Sequence, residues 1–462
     1  MRGFRLHRLS ANFRQVILRG NLRFPPRREI SVSRNMESDT AKKAAGAYFE
    51  YKPLEDVERL ERYRSGGYHP VAIGDHLHGR YRIVHKLGFG GYSTIWLARD
   101  EEIGRYVAMK ISTADSNSHE CNILRHLGSV GMPNDKHPGK ASIPQILDEF
   151  DIKGPNGEHR CIVTSPASTS LSDAREASYT RLFQLPVARA IIAQLIQAVA
   201  FLHSRGIVHA DIYIGNILFR LPQTLDSILP EEIYSQYGQP HCEPALRLDK
   251  QALSKGVPEY GIRPVWLGKD SELIPLSEAN IIITDFGESF LPSTTQRHYS
   301  NTPALSAPPE IRFSPEMPLS FPIDIWSLAC AIWSIMGTRP PFEGLAPTPD
   351  WMTIEHVTLL GRLPPEWWEK WDVRLQWFNE DGTRNHEELG RPWAERFEKF
   401  VQEPRRKCGM EELGDEEKYA LLGMLKAMLM FRPEERLTAA EVLESKWMKE
   451  WGFPELERML QT

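Results

Sequence analysis

Ten residues from 209 to 218, with the sequence HADIYIGNIL, constrain this chain more than any other segment. They place an acid, Asp211, before an amide, Asn216, and the turn Asp285-Phe286-Gly287 follows further along the chain. The acid can orient an attacking hydroxyl and accept its proton, while the amide and the second carboxylate can hold Mg²⁺ against nucleotide phosphates. The segment therefore predicts a phosphoryl-transfer site.

A glycine-rich segment lies earlier in the chain, at residues 87–95 with the sequence LGFGGYSTI. Its glycines let backbone N–H groups come close to phosphates. It is not a dinucleotide-binding turn, because a strand rather than a helix is predicted after it. No Gly-Lys-Ser/Thr closes it, which excludes a P-loop. A glycine-rich hairpin without a ligand remains the alternative.

Lys110 follows inside an apolar segment, Val107-Ala108-Met109-Lys110. A lysine in such a strand is costly to bury without a partner. The candidate partner is Glu120, at the start of the next predicted helix, together with nucleotide phosphates. A surface lysine with a buried stem is the alternative. The order of glycine loop, strand lysine and helix glutamate favours the ion pair.

The pattern of apolar residues changes along the chain. Its front part predicts a helix at 119–127 and strands at 81–84, 94–99, 106–111 and 160–164. Its back part predicts helices at 186–204, 323–337, 416–430 and 439–447. A strand-rich part followed by a helical part predicts an α+β protein with two lobes.

Further motifs resemble those of the eukaryotic protein kinase superfamily, in the same order. They are His209-x-Asp211-x-x-x-x-Asn216, Asp285-Phe286-Gly287, Ala307-Pro308-Pro309-Glu310, the segment 324–330 (DIWSLAC) and the segment 432–436 (RPEER). The resemblance covers roughly residues 65–450 and implies the two-lobed protein kinase fold, with a β-rich N-lobe and a mostly helical C-lobe. It also implies ATP and Mg²⁺ as cofactors and a protein serine or threonine as acceptor.

Within that superfamily the chain is similar to the SR-protein kinase group, as a divergent fungal-type member. The similarity rests on five segments: 63–70 (YRSGGYHP), Gly74-Asp75, 79–82 (GRYR), 86–100 (KLGFGGYSTIWLARD) and 327–330 (SLAC). It implies an Arg/Ser-rich protein substrate.

The resemblance assigns roles residue by residue. The catalytic residues are Asp211, Lys110 and Glu120, and the metal ligands are Asn216 and Asp285. The ATP-binding residues are Leu87, Gly88, Phe89, Gly90, Gly91, Tyr92, Ser93, Thr94, Ile95, Lys110, Thr164 and Ser165. The structural residues are His209, Phe286, Gly287, Glu310, Asp324 and Arg436, the last paired with Glu310.

Two positions depart from the family pattern. Tyr213 stands where Ser/Thr kinases have a lysine that contacts the transferred phosphate, and Ala210 stands where an arginine usually reads a phosphorylated activation segment. The first departure predicts a slowed enzyme and leaves a pseudokinase scaffold as an alternative. A small-molecule phosphotransferase is a further alternative, against which Glu310 and Arg436 argue.

The chain divides into five expected parts: a basic leader at 1–48, an N-terminal extension packing on the small lobe at 49–80, the N-lobe at 81–168, the C-lobe at 169–450 and a tail at 451–462. The C-lobe contains an insertion at about 222–277, expected to be a surface insertion or to wrap the large lobe. Residues 1–28 hold eight arginines and no acid, which fits a mitochondrial transit peptide or a disordered extension.

The composition is that of a globular protein, with 41% hydrophobic residues, 25% charged residues and a net charge of −5. This gives no argument for a nucleic acid or a membrane as partner. Five cysteines without a CxxC pair suit a reducing compartment. We expect a monomer in the cytoplasm, the nucleus or both, or in the mitochondrion if the leader is a transit peptide.

Overall fold

The structure is a computed structural model, and it describes residues 49–129, 136–221, 223–344, 347–385 and 390–461. The predicted leader, residues 1–48, lies outside the described residues.

A six-stranded antiparallel sheet forms the small lobe. Its strands are His76–Leu77 (β1), Tyr81–Gly90 (β2), Ser93–Asp100 (β3), Arg105–Ser112 (β4), Asp148–Gly154 (β5) and Gly157–Thr164 (β6), in the spatial order β1-β2-β3-β4-β6-β5. One face buries Trp96, Met109 and Val163, as expected for β-branched and large side chains that pack well on a pleated surface. Helix α1, His119–Ser129, connects β4 to the last two strands.

Short strands build the floor beneath this lobe. They are Ala167–Ser170 (β7), Ile217–Arg220 (β8), Cys242–Pro244 (β9), Tyr260–Ile262 (β10) and Ile281–Ile283 (β11). Strand β8 pairs with β7 on one side and with β11 on the other, while β9 and β10 form a separate hairpin. Asn216 directly precedes β8, and Asp285 comes just after β11. Adjacent antiparallel strands therefore carry the two predicted metal ligands to neighbouring places.

The large lobe is helical. Its helices are Leu171–Ala177 (α2), Leu185–Ser204 (α3), Pro230–Tyr237 (α4), Glu310–Phe313 (α5), Pro322–Met336 (α6), Pro349–Leu360 (α7), Pro365–Lys370 (α8), Trp393–Phe397 (α9), Glu403–Lys407 (α10), Asp415–Met428 (α11), Ala439–Leu443 (α12) and Phe453–Gln461 (α13). The two-lobed α+β architecture predicted from the sequence is confirmed.

Helix α3 is the centre of the large lobe. Among the described residues it is the one helix long and apolar enough to span a membrane, and 83% of that apolar window is buried inside the protein. A helix that is apolar on all sides needs cover on all sides. Helices α6 and α13 are among the elements that pack against it.

The predicted helix at 439–447 is interrupted at residues 444 and 445 and is helical again at 446–447. Helix α12 ends at Leu443, and a π-helical segment, Met448–Gly452, leads into α13. The hydroxyl of Ser445 accepts a hydrogen bond from the backbone N–H of Met448 at 3.3 Å. A serine that bonds to nearby backbone competes with helix continuation, which explains the break.

The insertion at 222–277 contacts both lobes. Its end reaches the large lobe, where the hydroxyl of Ser271 donates to the carbonyl of Leu182 at 2.8 Å, and its earlier part contacts the small lobe. The carboxylate of Asp226 accepts the N–H of Tyr106 in β4 at 2.7 Å. The hydroxyl of Tyr234 in α4 donates to the carbonyl of Val84 in β2 at 3.0 Å. Ile262 enters the apolar core of the sheet. The insertion thus covers the sheet with its own helix and hairpin.

His356 in α7 makes the stability of the large lobe depend on pH. Burial, reinforced by the cations Arg436 and Arg312, lowers the pKa of His356 from 6.5 to about 3. The unfolded chain therefore binds a proton below pH 6.5 that the folded chain does not. We expect the free energy of unfolding to fall as pH drops from 6.5 towards 3, by at most about 1.4 kcal/mol per pH unit from this group.

The variant His356→Leu should remove that contribution to the slope. Urea unfolding of both proteins at pH 7, 5.5 and 4.5 measures it. As pH falls, the free energy of unfolding should decrease less for the variant than for wild type. An equal decrease in both proteins would contradict the lowered pKa of His356.

Candidate active site

An open cleft of about 1550 Å³ lies between the sheet and the helical lobe, and residues of both lobes line it. The glycine-rich loop covers one side, and the segment 211–216 forms part of the other. The predicted site residues Leu87, Gly88, Phe89, Gly90, Gly91, Tyr92, Ser93, Ile95, Lys110, Glu120, Thr164, Ser165, Asp211, Asn216, Asp285 and Gly287 all line this one cleft.

Thr94 is the exception among the predicted ATP-binding residues. It is fully buried, and its hydroxyl accepts a hydrogen bond from the indole N–H of Trp96 at 2.9 Å. Successive side chains of a strand point to opposite faces of the sheet. Since Ser93 and Ile95 face the cleft, the side chain of Thr94 faces away from it.

Lys110 on β4 lies between two carboxylates. Its ammonium donates to Glu120 of α1 at 2.6 Å and to Asp285 at 3.5 Å. Burial alone would lower the pKa of Lys110, but the carboxylates of Glu120 and Asp285 outweigh it and raise the pKa to about 12. The lysine is therefore a permanent positive charge, held at the cleft by a helix that must be in place for the pair to form.

The loop that carries Asp211 is held from below by Asp324 of α6. This fully buried carboxylate accepts the backbone N–H groups of His209 at 2.7 Å and Ala210 at 2.8 Å. Ala210 has a φ of +65°, a left-handed conformation that costs a residue with a side chain roughly 1–2 kcal/mol. The two hydrogen bonds to Asp324 hold this turn in place.

Beside this turn, the buried ring of His209 packs edge-on against Phe286, with ring centroids 4.9 Å apart. Its Nε2 lies 3.2 Å from the carbonyl oxygen of Thr284. Burial lowers the pKa of His209, so the ring is neutral and ties the loop to the turn at Asp285.

Asp211 and Asn216 are bonded to each other. The amide nitrogen of Asn216 donates to the Asp211 carboxylate at 2.8 Å and to its backbone carbonyl at 3.0 Å. Burial raises the pKa of Asp211 to about 6; the bond from Asn216 opposes this, and the charges of Asp285 and Glu288 add to it. A carboxylate with a raised pKa is a better proton acceptor than an ordinary surface aspartate.

The two predicted metal ligands offer oxygen atoms suited to Mg²⁺. Asn216 uses its nitrogen for Asp211, so its amide oxygen is the atom for a cation, and the half-exposed carboxylate of Asp285 reaches the same cleft. No group of three or more His, Cys, Asp or Glu side chains in the described ranges is placed to hold a metal. Mg²⁺ fits such a site, because it usually combines one or two protein oxygens with water and substrate phosphates.

The cleft residues that were missed from the sequence include three of the insertion. They are Pro264, Val265 and Trp266, which line the cleft. The backbone N–H of Val265 donates to the carbonyl of Lys86 at 2.8 Å, which fixes this segment to β2. The local sequence of the insertion does not predict this contact, because the contact depends on how the whole insertion packs against the sheet.

Tyr213 lies on the backbone of Gly215. A Cβ atom built on Gly215 would be 2.3 Å from Cε2 of the Tyr213 ring, far too close for any real side chain. The half-buried ring lines the cleft. Burial, followed by the charges of Asp211, Asp285 and Asp173, raises the pKa of its hydroxyl, so Tyr213 is neutral at the position where the resemblance implied a lysine. Because Gly215 has no side chain, it leaves the space that the Tyr213 ring occupies.

The segment after Asp285 is held by the protein's own groups. The guanidinium of Arg297 donates to the carboxylate and the backbone carbonyl of Glu288. The hydroxyl of Thr302 donates to the carbonyl of Ala210 at 2.9 Å. The imidazole of His119 in α1 lies 2.5 Å from the carbonyl oxygen of Ser289. These contacts hold the segment beside the loop that carries Asp211.

Glu310 and Arg436 form a two-bonded ion pair in the large lobe, with both N–O distances at 2.7 Å. Arg436 also donates to the carbonyls of Met430, Phe431 and Pro322. Bidentate arginine–carboxylate pairs are geometrically specific as well as strong. The pair therefore fixes the segment around Glu310 to the segment around Arg436.

The comparison with protein families identifies one domain. The family model described as protein kinase domain matches residues 81–226 and 269–448. The unmatched residues between these two parts fall within the insertion.

Three relatives illustrate the range of similarity. A serine/threonine protein kinase of Aspergillus fumigatus is 28% identical over 456 residues, covering 96% of this chain and 98% of the relative. The serine/threonine-protein kinase SRPK of Physarum polycephalum is 28% identical over 415 residues, covering 85% and 91%. Human SRSF protein kinase 3 is 35% identical over 167 residues, covering 36% and 30%.

Proposed function

The chain belongs to the protein kinase family, and from this premise we propose that it phosphorylates serines in Arg/Ser-rich protein segments. It is an ATP-dependent serine/threonine protein kinase of the SRPK type. The single observation that carries the proposal is the cleft in which Lys110, Asp211 and Asp285 meet. The proposal that the acceptor segment is rich in arginine rests on the charge of the residues that line this cleft.

The roles proposed for the cleft residues follow from their chemistry. The backbone N–H groups of Gly88 and Gly90 cover the nucleotide phosphates, and Lys110, held by Glu120, neutralises their charge. Asp211 orients the acceptor hydroxyl and takes its proton. Asn216 and Asp285 would hold Mg²⁺, which the family uses with ATP. When bound, the metal neutralises charge on the phosphates.

Charge in the cleft supports a basic acceptor segment. Of the described residues that line it, two are basic, Lys110 and Arg160. Eight are acidic: Asp56, Asp115, Glu120, Asp173, Glu176, Asp211, Asp285 and Glu288. A cleft lined by one sign of charge raises the local concentration of segments of the opposite sign. One relative is named an SRSF protein kinase, which agrees with this choice.

A peptide pair tests the proposal. Purified protein is assayed with Mg²⁺-ATP and an Arg/Ser-repeat peptide, next to a peptide of equal length in which glutamine replaces arginine. We expect kcat/KM to be at least about tenfold higher for the Arg/Ser peptide, since each arginine gains an electrostatic partner in the cleft. Raising the salt concentration should narrow the difference.

Two results would contradict the proposal. Equal kcat/KM for the two peptides would remove the Arg/Ser preference while leaving a kinase. Phosphate incorporation that is the same in wild type and in the Asp211→Ala variant would show that the activity comes from a contaminant.

Activation-segment phosphorylation is not expected to control this enzyme. Ala210 provides no cation for a phosphate, and the ion pair of Arg297 with Glu288 already holds the segment. Treatment with a phosphatase, or phosphomimetic changes at Ser293, Thr294 or Thr295, should leave kcat within about twofold of the untreated protein. The variant Arg297→Gln should lower kcat in both treated and untreated protein. A severalfold loss after phosphatase treatment of wild type would refute the prediction.

We further propose that the enzyme is a monomer that binds neither nucleic acid nor membrane, in line with its net charge of −5. For its location we propose the cytoplasm, the nucleus or both, or the mitochondrion if residues 1–40 direct import. A fusion of residues 1–40 to a fluorescent reporter separates these outcomes, because only a transit peptide moves the reporter into mitochondria.

A further inference from the structure

A segment ahead of the sheet, residues 58–68, lies against the glycine-rich loop; we refer to it as the brace. Its anchor is a buried ion pair between Glu58, 5% exposed, and Lys86 of β2, which is fully buried. The hydroxyl of Tyr63 donates to the other oxygen of the same carboxylate. A charge this deeply buried is tolerated only when it is paired and hydrogen-bonded, and here both oxygens of Glu58 have partners.

Lys86 links this anchor to the loop. It precedes Leu87, the first residue of the loop, and its ammonium lies 5.1 Å from the centroid of the Phe89 ring and 5.5 Å from that of Trp96. Cations at this distance from an aromatic face are attracted to it. The base of the loop is therefore fixed on the side that faces the brace.

Tyr68 reaches the tip of the loop directly. Its hydroxyl donates to the carbonyl oxygen of Gly90 at 2.6 Å. The guanidinium of Arg62 lies 5.0 Å from the Tyr68 ring and 5.9 Å from the ring of Tyr92, on the other side of the tip. One tyrosine and one arginine of the brace thus contact two successive parts of a loop that would otherwise be held only by its two strands.

The brace is itself fastened to the sheet. The N–H groups of Ala114 and Asp115, just after β4, donate to the carbonyls of Gly67 at 3.0 Å and Gly66 at 2.8 Å. The side chain of Asn156 donates to the carbonyl of Tyr68 at 2.7 Å. These bonds fix Tyr68 relative to β4, the strand that carries Lys110.

We propose that Tyr68 is a positioning residue, which holds the glycine-rich loop at the height required for nucleotide phosphates. Glycine loses more conformational freedom on ordering than any other residue, so a free loop binds phosphates less tightly than one that is already ordered. The inference rests on the use of ATP stated above, and it adds a segment outside the matched kinase domain to nucleotide binding.

The variant Tyr68→Phe removes one hydroxyl and keeps the ring. Loss of one hydrogen bond to the loop should raise the Kd for Mg²⁺-ADP and the KM for ATP by about threefold to tenfold. The single-turnover rate constant at saturating ATP, the KM for the peptide and the Tm should all stay as in wild type. Amide hydrogens of residues 88–91 should exchange faster. Tyr179→Phe is the matched control, because Tyr179 is 95% exposed and should change none of these values.

Two outcomes would overturn the inference. A Kd for Mg²⁺-ADP within twofold of wild type would mean that the hydroxyl does not position the loop. A loss of kcat in step with a lower Tm, at unchanged Kd, would mean that Tyr68 only stabilises the fold. Calorimetric ADP binding needs no turnover, so a failure of the Arg/Ser substrate proposal leaves this test intact.

Discussion

The variant Asp211→Asn is expected to lower the single-turnover rate of phosphoryl transfer by about two to four orders of magnitude, the usual contribution of a positioned general base. Asparagine matches the size of Asp211 but cannot take a proton. Its amide oxygen can still accept the hydrogen bond from the Asn216 nitrogen, which is 2.8 Å long in the structure, so the side chain keeps its place. Rapid-quench measurement with saturating Mg²⁺-ATP and Arg/Ser peptide isolates the chemical step from product release, which often limits kcat.

The control for this variant is nucleotide binding. Asp211 makes no contact with Lys110 or Glu120 that the fold depends on, so the Kd for Mg²⁺-ADP should remain within about threefold of wild type. A variant that loses ADP binding along with turnover would point to a collapsed site instead of a missing base. A variant that keeps more than a tenth of the wild-type rate would show that Asp211 is not the base.

Much of the site could be predicted because its motifs are contiguous. Asp211 and Asn216 lie in one loop, so the local sequence is enough to bring them together. Asp285 was recognised from its own motif, and the strand before it pairs with the strand after Asn216. Strand periodicity could also have shown that the Thr94 side chain faces away from the cleft, because its neighbours Ser93 and Ile95 face it.

Other features could not be predicted, because they join parts of the chain that are far apart. Trp266 reaches the cleft from an insertion whose pairing with the small lobe depends on tertiary packing. The contact of Tyr68 with Gly90 spans 22 residues and an intervening strand. The break after Leu443 depended on whether the Ser445 side chain would bond to backbone. In each case the residues can be read from the sequence, but their contact partners are known only from the tertiary structure.

The variant Tyr213→Lys should act in the opposite direction from Asp211→Asn. The new lysine places a positive charge beside the carboxylates of Asp211 and Asp285, where it can stabilise the negative charge of the phosphoryl group during transfer. One well-placed donor typically contributes about 10²–10³ in rate, and Lys110 already supplies part of the positive charge. We therefore expect the single-turnover rate to rise by about one to two orders of magnitude.

Two companion variants separate the charge from the space that the ring occupies. Tyr213→Met supplies a flexible, uncharged side chain and should give no more than about a twofold gain, so an equal gain from Met and Lys would show that the ring obstructs the site. In the otherwise wild-type protein, Gly215→Ala should lower the single-turnover rate, because the added Cβ would come within 2.3 Å of the Tyr213 ring. In the Tyr213→Lys background the same change should be tolerated, giving a large coupling energy between the two positions. Additive effects would mean that glycine at 215 is not there to admit the tyrosine.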